Sequence, residues 1–297
     1  MNQHEISRGI GLSVFASALF AFLYGYTRLL APLDGLDIFS WRILTTTVAV
    51  LALIAWRRQG SQLRAACAEI CGNPRKLLAL VAMAAMLGLQ QWLFLWAPVN
   101  GRALEVSLGY FLLPLAMVLV GRFYYGERLD LLQRLAVLCA FVGVAHELWM
   151  TRAFSWPTLL VALGYPPYFV LRRRLRMDSL MIFAIELILL VPIAAVALAL
   201  NGSFIATVQT PSMYLLLPVL GVVSMVALAS YLGSGKLLPM GLFGILGYVE
   251  PVLLVLVAMA VLGESLQPAQ LGTYVPIWMA VALTALHSLR LMRRPAH

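Results

Sequence analysis

Ten stretches of about 20 mostly apolar residues limit the possible folds of this chain more than any other feature. A helix needs about 20 residues to cross the hydrocarbon core of a bilayer. The chain has 297 residues, 62% of them apolar and 11% charged, whereas soluble domains are about 25% charged, and this excludes a soluble enzyme. We therefore predict an all-α integral membrane protein with ten transmembrane helices. They lie near residues 9–30, 37–56, 77–97, 104–124, 131–150, 154–171, 179–199, 213–233, 240–262 and 270–289.

The basic residues are distributed in a way that orients these spans. Of the 21 Lys and Arg residues, 17 lie in loops on the side of the two termini, three lie on the opposite side, and Arg42 lies inside the second stretch. Lys and Arg concentrate in cytoplasmic loops, so both termini are predicted to be cytoplasmic. The net charge of +9 then reflects topology and contact with anionic lipid heads, and no nucleic-acid partner is expected.

One sequence pattern occurs twice, 137 residues apart. Both copies read P-x11-G-E-x-L-x3-Q, and they begin at Pro114 and Pro251. Each half, 1–150 and 151–297, then contains five helices, and because five is odd the second half is inverted. Inverted repeats around a site at the membrane midplane are typical of transporters that work by alternating access. A proline inside a span predicts a structural hinge or a helix break. Such prolines are Pro114, Pro251 and the pair Pro166-Pro167. The pair is expected to interrupt the sixth stretch.

The Gly-Glu pair of each copy is expected at the membrane surface, about 18 Å of helix beyond the proline. Glu127 and Glu264 are interpreted as structural residues that close the turn into the next helix.

The block around the first copy of this pattern resembles the RarD-type permeases, the chloramphenicol-sensitivity proteins. These form an EamA-type branch of the drug/metabolite transporter superfamily. The matching residues are Trp96-Ala97-x2-Asn100-x3-Leu104-Glu105-x-Ser107-Leu108-Gly109-Tyr110-Phe111-x2-Pro114-x11-Gly126-Glu127-Arg128, with Trp41-Arg42, Tyr248-x2-Pro251-x11-Gly263-Glu264 and Ile277-Trp278 elsewhere. The resemblance implies two inverted five-helix bundles of EamA type, a multi-pass location in the bacterial inner membrane, and transport of small organic molecules. Pro166-Pro167 and Gln90-Gln91 depart from the family pattern, which leaves the substrate open.

Ionisable residues inside spans are costly and are therefore candidates for function. Glu250 beside Pro251 lies near mid-membrane and is a candidate for binding a substrate amine or a coupling proton. Arg42 is a candidate for binding a substrate carboxylate, with a structural pair to Glu105 or to another acid as the alternative. Glu186 has no partner that the sequence reveals. It is either structural or lines the cavity, where it is a second proton-coupling candidate.

Amide and aromatic side chains complete the predicted substrate site. Small-molecule sites combine an apolar and aromatic lining with a few polar groups. The alternative for the tryptophans is helix packing or the interfacial belt. The residues of this set are Gln90, Gln91, Trp92, Trp96, Asn100, Tyr110, Tyr168, Tyr231 and Tyr248.

These features predict a secondary transporter, driven by protons, by exchange or by neither, rather than an enzyme. The alternatives are a membrane-embedded enzyme acting on a lipid-linked substrate, or a channel. Enzymes of that kind use acidic clusters that hold a metal, but Asp34 and Asp37 form the only close Asp pair, in a predicted exposed turn. No metal and no cofactor are expected. The expected partners are a small-molecule substrate and the lipid bilayer, with no obligate protein partner, as a monomer or a homodimer.

Overall fold

The computed structural model describes residues 3–99, 103–152, 155–202, 204, 207, 209–253, 256 and 268–293. These residues form α-helices and two short 3-10 helices, Thr27–Leu30 and Pro268–Gln270, with no strand among them. The α-helices are α1 (Gln3–Tyr26), α2 (Gly35–Trp56), α3 (Gly60–Cys71), α4 (Pro74–Val99), α5 (Ala103–Phe123), α6 (Leu131–Thr151), α7 (Trp156–Leu175), α8 (Ser179–Asn201), α9 (Met213–Leu237), α10 (Met240–Leu246) and α11 (Leu271–Arg293).

By length and composition, seven helices of the described part can cross a membrane. They are α1 with the 3-10 turn that follows it, α2, α4, α6, α8, α9 and α11. Two shorter apolar helical segments, Leu108–Phe123 and Met240–Leu253, lie within the fourth and ninth predicted stretches. The prediction of an all-helical, multi-pass membrane protein is thus confirmed. The count of ten spans and the cytoplasmic termini stay predictions.

Helix α3 was not predicted from the sequence. It lies in the loop between the second and third apolar stretches and is only 12 residues long, too short to register as a span. Ala66 and Ile70 are buried one turn apart on the same face. An ion pair between Glu69 and Lys76 connects α3 to the start of α4.

The segment from Asp34 to Asp37 is the start of α2, so the predicted exposed turn is wrong. Asp34 is the N-cap, and its side chain accepts a hydrogen bond from the Asp37 backbone N–H at 2.8 Å. Asp37 is buried, and its carboxylate accepts a hydrogen bond from Asn201 at 3.2 Å. The preference of Asp for the N-cap position explains the difference.

The proline pair of the sixth stretch does not interrupt its helix. Helix α7 is continuous through Pro166-Pro167, so the predicted interruption is wrong. The two prolines withdraw the N–H donors that would reach the carbonyl oxygens of Ala162 and Leu163, which weakens the helix without ending it. Pro114 likewise lies inside the continuous α5.

A helix break does occur just ahead of Pro251. Helix α10 ends at Leu246, Gly247 and Tyr248 form a turn, and helical structure resumes at residue 249. The Tyr248 N–H bonds the carbonyl of Ile245 three residues back, at 3.1 Å, which is the tighter 3-10 pattern. Pro251 offers no N–H to the carbonyl of Gly247, which explains why the helix is irregular here. The hinge roles of all four prolines stay predictions.

The described helices pack into two compact units. The first unit contains residues 1–25, 102–166 and 230–297, and the second contains residues 26–101 and 167–229. Each unit takes helices from both predicted halves, 1–150 and 151–297, so packing cuts across the sequence repeat. The repeat boundary itself stays a prediction. One unit boundary falls inside α7, between Pro166 and Pro167, and another falls inside α9.

In the first unit, α6 packs along α11 and α5 packs against α10. Small residues make this possible: a Cβ added at Gly244 would come within 2.7 Å of the Pro114 carbonyl oxygen. The core around this contact is apolar, and its buried members are Leu108, Phe111, Val118, Ala136, Ala140, Val144, Ile245, Tyr248, Ile277 and Ala280.

In the second unit, α2 packs along α8, and α4 contacts both. Gly221 of α9 lies against the backbone of Thr45 in α2, where an added Cβ would come within 2.6 Å of the Thr45 carbonyl carbon. This close approach of the two backbones lets polar side chains of α2 and α9 contact each other.

Candidate functional site

Arg42 lies eight residues into α2, in the second unit. Its Nε–H donates a hydrogen bond to the hydroxyl of Ser224 in α9 at 3.1 Å, and Ser224 is fully buried. A guanidinium inside a membrane span stays charged, so a polar partner that fixes its plane lowers the cost of burial. Ser224 was not predicted from the sequence, because one serine in an apolar stretch carries no spacing signal.

The polar residues of α4 differ in how deeply they lie in the second unit. Gln90 is buried, with 2% of its surface exposed, whereas Gln91 and Trp92 are half-buried. The side chain of Trp96 and the whole of Asn100 lie outside the described residues.

The predicted residues of the first unit have mixed surroundings. The Tyr231 ring packs 5.0 Å from Phe243 and 5.9 Å from Phe20, measured between ring centroids. Tyr110 and Glu250 are half-buried, so both keep some exposed surface. Tyr248 is buried, and its hydroxyl donates to the carbonyl of Phe111 at 2.9 Å.

Tyr248 and Phe111 are 137 residues apart, which is the spacing of the sequence repeat. Under the predicted repeat, the contact joins equivalent positions of the two copies. Their packing explains why Tyr248 is buried, and it gives this tyrosine a structural contact besides its predicted role in substrate binding.

Glu127 of the repeated Gly-Glu pair caps a helix, although not the one expected. Its two carboxylate oxygens accept hydrogen bonds from the backbone N–H groups of Met240 and Gly241, at 2.6 and 2.7 Å. It thus satisfies the start of α10 rather than closing the turn into α6, because the first N–H groups of a helix lack internal partners. The cap of α6 is Asp130, in a capping box with the repeated Gln133. Glu264 lies outside the described residues.

Glu186 is the residue whose surroundings differ most from expectation. It is fully buried, and Oε2 accepts a hydrogen bond from Arg172 Nη1 at 2.7 Å and one from the Tyr168 hydroxyl at 3.3 Å. The guanidinium of Arg172 is also buried, and its Nη2 donates to the carbonyl of Ser179 at 2.6 Å. Two predicted site residues, Tyr168 and Glu186, thus meet in one cluster through an arginine that was not predicted.

The cluster contains two polar atoms whose hydrogen-bonding capacity is not used within the described part of the chain. Oε1 of Glu186 and Nε of Arg172 are both buried and have no partner there. Breaking such a pair is costly in a low-dielectric interior because it exposes a charge to apolar surroundings. The ion pair is therefore stable in this state, and its second carboxylate oxygen remains an unused acceptor.

The described residues contain no group of three or more His, Cys, Asp or Glu side chains that could hold a metal ion. The polar groups at hand are instead those that recognise organic molecules: guanidinium groups, carboxylates, amides, hydroxyls and aromatic rings.

Comparison with known proteins supplies a family context for these features. Residues 7–146 match the EamA-like transporter family. A protein named chloramphenicol-sensitive protein RarD, from Pseudomonas aeruginosa, is 52% identical over 290 residues, which cover 97% of each chain. An uncharacterized transporter of Haemophilus influenzae is 35% identical over 96% of this chain and 95% of its own. The RarD protein of Escherichia coli is 28% identical over 99% of both chains.

A solved crystal structure has the same fold. It matches with a TM-score of 0.67 and 19% sequence identity, over 95% of this chain and 99% of the other.

Proposed function

This chain belongs to the RarD-type branch of the EamA-like transporter family, and from that premise we propose that it is a secondary transporter of small organic molecules in the bacterial inner membrane. The observation that carries the proposal is the 52% identity to a RarD protein over nearly the whole chain. Relatives along the full length are named transporters, which agrees with a protein that is not an enzyme.

The proposed mechanism is alternating access around a site near the bilayer midplane, with ten helices in two inverted repeats and both termini in the cytoplasm. The duplicated motif and the contact between its equivalent positions Phe111 and Tyr248 support this architecture. Arg42 and Glu250 are the proposed charged anchors for the substrate. The proposed lining residues are Gln90, Gln91, Trp92, Trp96, Asn100, Tyr110, Tyr168, Tyr231 and Tyr248.

Pro166 and Pro167 are a proposed hinge within helix α7. Its part before the proline pair belongs to the first unit, where the Thr158 hydroxyl donates to the backbone carbonyl of Glu105 at 2.7 Å. Its part after Pro167 belongs to the second unit, where Arg172 pairs with Glu186. Since the two prolines remove backbone hydrogen bonds between these attachments, bending is cheapest there.

Counterflow in proteoliposomes tests the transport proposal. Vesicles loaded with unlabelled chloramphenicol should transiently accumulate external radiolabelled chloramphenicol, and the initial rate should saturate with concentration. Chloramphenicol is the first probe because a relative is named for sensitivity to it. The same assay run with a panel of amino acids and organic acids covers metabolite substrates. A linear, non-saturating flux for every compound would point to a channel, and the absence of flux for every compound would reject transport.

A further inference from the structure

The ion pair at the end of α7 suggests how transport is driven. Glu186 lies seven residues beyond Ser179, about 10 Å along α8 from its first residue. Arg172 and Tyr168 approach it from the part of α7 that follows the proline pair. A carboxylate, a guanidinium and a phenol therefore lie together at depth in the second unit.

Only one of the two Glu186 carboxylate oxygens accepts hydrogen bonds from residues that the structure describes. Arg172 and Tyr168 both bind Oε2, while Oε1 is buried and has no hydrogen-bond partner within the described residues. A buried acceptor without a partner is unfavourable, and Oε1 is the oxygen that can take up a proton without displacing the two donors bound to Oε2. Oε1 is thus open to a proton, and binding that proton would change the charge of Glu186.

We propose that Glu186 is the binding site of a coupling proton, and that Arg172 and Tyr168 are positioning residues that hold its other oxygen. The inference rests on the proposed transport function and names the ion that drives it. One proton moves from water to Oε1, the carboxylate becomes a neutral carboxylic acid, and no other bond changes. Arg172 stays charged, so its contact with Glu186 loses its ionic component, and the end of α7 is held to α8 less firmly, chiefly by the bond from Arg172 to the Ser179 carbonyl.

The surroundings of Glu186 contain few competing charges. Helices α2, α3 and α4 also pack against α8. Among the described residues, the titratable or charged groups that act on Glu186 are Arg172 and Tyr168, both from α7. Within the described part of the chain, protonation of Glu186 therefore acts directly on one ion pair, the one that attaches α7.

Accumulation driven by a pH gradient tests the proposal in proteoliposomes with the membrane potential held at zero. The probe is radiolabelled chloramphenicol, or whichever compound of the panel gives counterflow. One proton exchanged per substrate gives about tenfold accumulation for each pH unit of gradient. Glu186→Gln, which keeps the shape of the side chain, should lose this accumulation and retain counterflow. Glu69→Gln, which removes the carboxylate of a solvent-exposed ion pair with Lys76, is the matched control and should retain both. Glu250→Gln is measured in the same assay to locate the proton if Glu186→Gln keeps accumulation.

Two further measurements separate the proton site from a purely structural role. Infrared difference spectra between low and high pH, recorded without substrate, should contain a carboxylic-acid band that Glu186→Gln removes. The paired variant Arg172→Met/Glu186→Leu, which keeps the site apolar and packed, should exchange substrate without responding to the pH gradient.

The outcomes are distinct. If the wild-type protein transports nothing, the proposed function fails, while the infrared band still reports on the proton site. If Glu186→Gln or the paired variant keeps tenfold accumulation, the proton-site inference is overturned. Loss of accumulation in Glu250→Gln with retention in Glu186→Gln would overturn it too and assign the proton to Glu250.

Discussion

Replacing Arg172 by Met is expected to lower the free energy of unfolding by about 3–5 kcal/mol, the usual cost of removing one partner of a buried ion pair. The structure gives the reason for a value in this range. Arg172 loses its contacts to Glu186 at 2.7 Å, to the Ser179 carbonyl at 2.6 Å and to the Tyr168 hydroxyl at 3.0 Å. Two unit charges about 4 Å apart attract by about 4 kcal/mol at an effective dielectric constant of about 20, which agrees with that range.

Replacing the other partner of the pair, Glu186→Leu, should lower the free energy of unfolding by more than Arg172→Met does. A glutamate left alone in the interior can take up a proton and become neutral, whereas an arginine cannot lose its charge. The difference between the two variants should therefore widen as the pH falls. The paired variant Arg172→Met/Glu186→Leu removes both charges, and its stability should return to within about 1 kcal/mol of wild type.

The measurement is unfolding by SDS in mixed micelles, followed by circular dichroism, for the wild type, both single variants and the paired variant. The double-mutant cycle then isolates the coupling between the two side chains. A coupling below about 1 kcal/mol, the value of an exposed surface pair, would refute the reasoning, since it would mean that water reaches the pair.

Two further predictions concern helix packing and capping in the first unit. Gly109→Ala should destabilise the protein by about 1–3 kcal/mol, because the added Cβ would come within 2.6 Å of the Val161 Cβ. Gly11→Ala is the matched control in α1, where nothing lies within 4 Å, and it should be neutral or stabilising by up to about 1 kcal/mol in the same SDS titration. Glu127→Ala should cost about 1–3 kcal/mol, because it leaves two N–H groups at the start of α10 without acceptors. Glu127→Gln should recover part of that loss, and equal stability of both Glu127 variants and wild type would show that the cap is dispensable.

The helices were predictable because membrane spans follow from local composition. The stretches 37–56 and 179–199 correspond to α2 (Gly35–Trp56) and α8 (Ser179–Asn201) within two residues at each end. Helix α3 was missed because its face is only partly apolar and its length is that of a surface helix.

The candidate site was less predictable because contacts between helices leave little trace in one sequence. Arg172 was counted with the cytoplasmic basic residues, since it begins a run of arginines at the end of a span. A signal for its pairing was nevertheless present. Only three residues separate α7 from α8, so positions equally far from Met177 face each other in a hairpin. Tyr168 and Glu186 are each nine residues from Met177, and Arg172 follows Tyr168 by one helical turn.

The bond from Tyr248 to the Phe111 carbonyl has a consequence for the ancestry of the chain. Under the predicted repeat, these are the same position in two copies, and equivalent positions that touch lie beside the axis relating the copies. An ancestral dimer of identical chains carries the same side chain at both places, and such an interface is self-complementary. Gene fusion removes that constraint. Once the copies share one chain, a tyrosine can stand on one side of the axis and a phenylalanine on the other, so that the hydroxyl of one copy meets the carbonyl of its counterpart without a second hydroxyl competing for the same space.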